Sequence, residues 1–83
     1  MTVRIPHNFA HLAQGKESIG IEANTVDEVL SKLTTLFPPL ARLVTAYQHG
    51  DYTLSLNGDT VHSKSERLWD GDRLEFQKHY WAG

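Results

Sequence analysis

Cysteine is absent from the sequence, which excludes a disulfide framework, a thiolate-bound zinc or iron–sulfur site and a cysteine nucleophile. Stability must come from apolar packing. Long apolar runs are missing too: none approaches the roughly 20 residues needed to cross a bilayer. The N-terminal stretch MTVRIPHNFAHLAQG carries one early Arg but no continuous apolar segment of a secretion signal. The expectation is a chain that is neither secreted nor membrane-spanning, and cytoplasmic. No charge of one sign dominates, since 8 Lys and Arg face 10 Asp and Glu for a net charge of -2. The basic residues are scattered singly, which offers a phosphate backbone little to hold and argues against a nucleic-acid partner. There is no internal repeat, low-complexity tract or linker. With 83 residues the chain has room for one core, burying only about 60–65% of its unfolded surface.

Apolar periodicity divides the chain into elements. Val3 and Ile5 alternate with Thr2 and Arg4, the pattern of a strand with one buried face, and Pro6 closes it by removing a backbone donor. A loop or single helical turn with Phe9 and Leu12 follows, then punctuation at Gly15. Ile19 and Ile21 alternate with Ser18, Gly20 and Glu22, which predicts a second strand antiparallel to the first. Thr25-Val26-Asp27-Glu28 has the form of a capping box, in which the Thr25 hydroxyl accepts from the Glu28 amide and the Glu28 carboxylate reaches back to the Thr25 amide. Val26, Val29, Leu30, Leu33, Leu36 and Phe37 then share one helical face, so the spacing predicts a helix over 25–37 whose stripe is core, stopped by Pro38-Pro39.

Leu40, Leu43 and Val44 suggest a short second helical turn, and Gly50-Asp51 releases the chain into YTLSLNGDTV. Leu54 and Leu56 alternate there, Asn57-Gly58 tolerates positive φ, and the stretch through Val61 predicts a hairpin. Leu68-Trp69-Asp70-Gly71-Asp72 forms another turn, with Trp69 expected as a lid on the core. In RLEFQ, Leu74 and Phe76 face one way and Arg73, Glu75 and Gln77 the other. The order is ββαββ with a further short element. A lone amphipathic helix cannot hide its stripe, and each half-apolar strand has one face to bury, so the economical arrangement is α+β: a mixed sheet packed on one main helix, the ubiquitin-like β-grasp. The last strand then lies parallel to the first at the sheet centre. Residues 1–77 form the domain and 78–83 a C-terminal tail.

The stretch from Val3 to Leu40, with LSLNGDTV and LWDGDRLEF, resembles the ubiquitin-like sulfur carriers, namely the small subunit of molybdopterin synthase and the sulfur carrier of thiamine biosynthesis. The likeness spans residues 3 to 83. It rests most on ANTVDEVLSKL, on Leu56-Asn57-Gly58 and on the turn from Leu68 to Leu74. In that family the terminal glycine carboxylate is the working group. The resemblance implies that Gly83 is adenylated by an E1-like enzyme using ATP and converted to a thiocarboxylate by a sulfur donor, with molybdopterin synthesis the first pathway to consider. His79, Tyr80, Trp81 and Ala82 would line the partner's channel, and an acceptor synthase subunit would receive the sulfur. The chain itself would be a protein substrate, not an enzyme, binding no cofactor and no metal; ATP belongs to the activating partner.

Two features depart from the family. Ala82 stands where the family has its penultimate glycine, adding a methyl group to a tail that must thread a narrow channel. The sheet's outward positions, Arg4, Thr53, Ser55, Arg73, Glu75 and Gln77, form a polar set, whereas obligate interfaces are more apolar. The alternative is a non-conjugating ubiquitin-like interaction module that docks through Tyr80 and Trp81. The five histidines fall in loops or at strand ends. His7 and His11 have i, i+4 spacing but no accompanying carboxylate ligand, and are expected on the surface. Asp70 and Asp72, flanking Gly71, are turn formers rather than an acid–base pair.

Overall fold

The computed structural model describes residues 1–78. Two strands open the chain, β1 (Thr2–Arg4) and β2 (Ser18–Gly20), each with its middle residue buried. They pair antiparallel with Val3 opposite Ile19, as the alternation predicts. A 3-10 helix, His7–Ala13, connects them and ends at Gln14, which takes a left-handed conformation (φ 58°) beside Gly15. It buries Ala10 and Ala13, where the sequence predicted only a loop or one turn around Phe9 and Leu12.

Helix α1 (Val26–Leu36) begins at Thr25, whose Oγ1 accepts from the Glu28 amide at 3.3 Å. The second half of the capping box differs from expectation: the Glu28 carboxylate accepts from the Asn24 amide at 2.9 Å. Thr25 forms an isolated antiparallel bridge with Arg67, and this extended pairing sets which amide faces the first turn. The amides of Val26 and Asp27 donate to the carbonyls of Glu66 and Lys64, so the segment around 64–68 supplies acceptors that a helix start lacks. Val26, Val29, Leu30 and Leu33 are buried, but Leu36 is 57% exposed, contrary to its place in the predicted stripe. The reason is the next element. Pro38–Leu40 forms a 3-10 turn whose Leu40 is fully buried, so the core beyond Leu33 is filled from after the prolines.

The second helix, α2 (Ala41–Gln48), is longer than the single turn predicted; Leu43 is buried and Val44, Ala46 and Tyr47 pack against the core. β3 (Tyr52–Leu56) and β4 (Asp59–Thr60) form the hairpin around Asn57 and Gly58, both at positive φ. β5 (Arg73–Lys78) completes a five-stranded sheet of order β2-β1-β5-β3-β4, with β5 parallel to β1 and antiparallel to β3. β5 runs one residue beyond the expected boundary at 77, because Lys78 pairs with Tyr52. One sheet face, carrying Val3, Ile19, Tyr52, Leu54, Leu74 and Phe76, joins the helical stripes in a single apolar cluster. No helix among the described residues is long and apolar enough to cross a membrane.

Candidate functional site

The described residues end at Lys78, the last residue of β5 and the exit of the described structure. β1 accompanies β5 only as far as the pairing of Arg4 with Glu75, after which Pro6 turns the chain away. Beyond that point β5 is held by β3, through Phe76 with Leu54, Gln77 with Thr53 and Lys78 with Tyr52. Thr53 Oγ1 also donates to the Gln77 carbonyl at 3.5 Å.

Tyr52 is the hub of this exit. It is buried, its ring lies edge-to-face with Phe9 at 5.6 Å, and Lys78 Nζ sits 5.5 Å from the ring centroid. The Asn8 amide donates to its hydroxyl at 3.2 Å. The four residues come from the first connection, β3 and the end of β5, so three separate segments meet at the last described residue of β5. On the same face Phe76 meets Tyr47 of α2 edge-to-face at 6.2 Å. Burial pushes the Tyr47 phenol above its ordinary pKa, and the residue lines a shallow open cleft with Gln48 and Lys64. Sequence reasoning did not single out Tyr52, although its place two residues before Leu54 marks it as inward-facing.

The site residues expected from sequence, His79, Tyr80, Trp81, Ala82 and Gly83, lie outside the described residues. The outer sheet face is described as far as Lys78. Ser18, Arg4, Glu75, Ser55 and Thr60 form one row across all five strands, and Arg73 Nε lies 3.1 Å from Glu75 Oε1. Ser55, expected to be outward and open, is 4% exposed: a short side chain in a central row lies below the tops of its longer neighbours. The face carries no apolar side chain in these rows.

The remaining candidates resolve locally. Asp72 closes its turn by accepting from the Trp69 amide at 2.7 Å and from the Asn57 side chain at 3.0 Å, and these hydrogen bonds hold its carboxyl below the usual range. His7 Nδ1 lies 3.3 Å from Glu17 Oε1 on the surface, and no metal-holding group of three His, Asp or Glu side chains occurs among the described residues. Trp69 is not a lid on the core: it is 63% exposed, with the Arg67 guanidinium 4.8 Å from its ring centroid. Leu68 takes the inward position instead.

No protein-family model and no curated protein sequence matches this chain. Solved structures do. CysO in its complex with BexX from Amycolatopsis orientalis superposes with a TM-score of 0.84 at 20% identity, over 99% of this chain and 98% of that one. SAMP1 from Haloferax volcanii gives 0.73 at 19% identity, over 99% and 97%. A chain of the complex between subunits 1 and 2 of the molybdopterin-converting factor from Helicobacter pylori gives 0.62 at 21% identity, over 99% and 96%. Near-complete coverage on both sides, together with a mixed five-stranded sheet whose first and last strands run parallel at its centre, establishes the β-grasp fold for this chain.

Proposed function

We propose that the protein is a sulfur carrier whose working group is the Gly83 carboxylate. An E1-like enzyme joins that carboxylate to the α-phosphorus of ATP, and pyrophosphate leaves. Sulfide, as HS⁻, then attacks the acyl carbon, the bond to AMP breaks, AMP leaves, and the carboxylate has exchanged one oxygen for sulfur. The activation step supplies the leaving group that a bare carboxylate lacks. The observation that carries this reading is the β-grasp sheet, in which β5 runs parallel to β1 at the centre and is paired to β3 as far as Lys78, with Ala82-Gly83 following in the sequence. Fold-level likeness to CysO, SAMP1 and the molybdopterin-converting factor supports it, and complexes of two of those neighbours with other proteins favour protein partners. His79, Tyr80, Trp81 and Ala82 are then the channel-contacting segment. A polar outer face favours short-lived docking on an acceptor over a permanent synthase subunit, so molybdopterin synthesis is one candidate pathway among sulfur-transfer routes.

Ala82 favours a second reading, a docking module that has lost the chemistry and binds through Tyr80 and Trp81. Intact-protein mass spectrometry after incubation with the activating enzyme from the same cell, ATP and sulfide separates them. The carrier gains the mass of one oxygen replaced by sulfur, loses that gain on deletion of Gly83 or extension beyond it, and tolerates Ala82→Gly. A docking module shows no gain, is indifferent to the deletion, and loses its partner on Trp81→Ala.

A further inference from the structure

At the opposite end of β5 from the exit, Arg67 and Trp69 form a built feature that the carrier reading does not use. Residues 66–68 run extended, so Arg67 and Trp69 project to one side while Leu68 points into the core. The backbone beneath them is pinned throughout. Glu66 accepts from the Val26 amide, the Leu68 amide donates to Asn24, and Trp69 and Asp72 exchange bonds through the Asp72 carboxylate and the Trp69 carbonyl. Asp72 is braced in turn by Asn57. A large indole on a hydrogen-bonded backbone is thus 63% exposed, with the Arg67 guanidinium over its ring, 4.8 Å from the centroid.

A stacked guanidinium keeps its in-plane N–H donors free for a planar acceptor. Arg67 takes part in no ion pair and no side-chain hydrogen bond among the described residues. The pair therefore presents an apolar surface beside a guanidinium whose donors have no protein partner among the described residues. A carboxylate matches that fork bidentately, and an apolar neighbour on the same segment covers the indole.

We infer that the Arg67–Trp69 stack is a docking site for an acidic segment of a partner protein, in which a carboxylate binds Arg67 while an adjacent apolar side chain covers Trp69. β5 separates the stack from the exit by six residues, about 16–20 Å along a strand. The inference does not depend on the sulfur-carrier reading.

The test is a titration of the whole 15N-labelled protein, following the Trp69 indole and Arg67 Nε resonances, with three capped tripeptides: Glu-Leu-Glu, Gln-Leu-Gln and Lys-Leu-Lys. Saturable shifts with the acidic peptide, at least tenfold weaker binding of the other two, and loss of binding in both Arg67→Gln and Trp69→Ala are expected. Raised salt should weaken the acidic peptide severalfold. Equal binding of the neutral peptide, acidic binding that survives Trp69→Ala in a folded variant, or no saturable shift in the millimolar range would each overturn the inference. So would shifts that track protein concentration without peptide, which would make a second copy the occupant. Trp69→Phe, which keeps a ring on the same backbone, should retain part of the binding and guards against a folding artefact.

Discussion

Replacing Tyr52 should loosen the exit by an amount that its individual contacts predict. Tyr52→Phe removes only the hydroxyl, which accepts from Asn8 at 3.2 Å. Asn8 is itself exposed and can turn to water, so the loss should be about 0.5–1 kcal/mol. Tyr52→Leu also removes the edge-to-face pair with Phe9 and the Lys78 contact. Those are worth about 0.5–1.5 kcal/mol for the ring pair and about 0.5–1 kcal/mol for the cation over the ring. The leucine variant should therefore be about 1.5–3.5 kcal/mol less stable than the parent, and clearly less stable than the phenylalanine variant. Urea denaturation measures both, with unchanged slope and a shifted midpoint as the signature of a stability change. In a domain of this size each kcal/mol should also lower Tm by about 4–8 °C. If Tyr52→Leu proves no less stable than Tyr52→Phe, the ring contacts with Phe9 and Lys78 contribute nothing, and the reasoning that they hold the end of β5 fails.

Leu33 and Leu36 lie one turn apart on the same helix, yet Leu33 is fully buried and Leu36 is 57% exposed. Leu33→Ala should cost about 2–5 kcal/mol and Leu36→Ala less than about 1 kcal/mol, as read from denaturant midpoints. Removing the N-cap by Thr25→Ala should cost about 0.5–2 kcal/mol, and native-state hydrogen exchange should show the loss concentrated in the first turn of α1. The two hydrogen bonds that lower the Asp72 pKa stabilise the fold above the unfolded carboxylate value of about 3.9, and that contribution fades as pH falls through the lower folded value. Asp72→Asn should thus be less stable than the parent at neutral pH, with the gap closing in acid; a gap that is constant with pH would assign the effect to shape instead of charge.

How far the fold was legible depended on whether a residue's environment is set locally. The helix over 25–37 emerged as Val26–Leu36 with Thr25 and Phe37 as its caps, because capping chemistry and 3.6-residue spacing are both properties of the segment itself. The strands carrying Val3, Ile19, Leu54 and Leu74 were legible from alternation for the same reason. What escaped is tertiary. The Glu28 carboxylate is redirected to Asn24 beside a strand-like pairing with residues forty positions away, and no local pattern reports that. Leu36 loses its place in the core to Leu40, which follows two prolines. Trp69 was misjudged because hydrophobicity alone favours burial, whereas the alternation of Arg67, Leu68 and Trp69 allows only the middle residue to point inward. Of the site, the segment that would carry chemistry was readable as sequence, but Tyr52, which pairs with the last described residue of β5, needed the pairing register.

The outer sheet face connects these points to the proposed function. Its central row runs Ser18, Arg4, Glu75, Ser55 and Thr60, and the Arg73–Glu75 contact beside it is exposed enough to remain hydrated. Exposed ion pairs of this kind contribute between nothing and about 1 kcal/mol, so the face can exchange its partners at little cost. It also lacks the apolar centre from which tight interfaces derive most of their energy. A carrier that must be activated by one enzyme and relieved of sulfur by another gains from such a surface, because each complex has to dissociate before the next forms. Specificity would then come from the charge pattern of Arg4, Arg73 and Glu75, which influences association rate more than lifetime. If the proposed activating enzyme reads this pattern, reversing Arg4 to Glu should change the association rate and its salt dependence, as stopped-flow binding would show, while leaving the dissociation rate nearly unchanged.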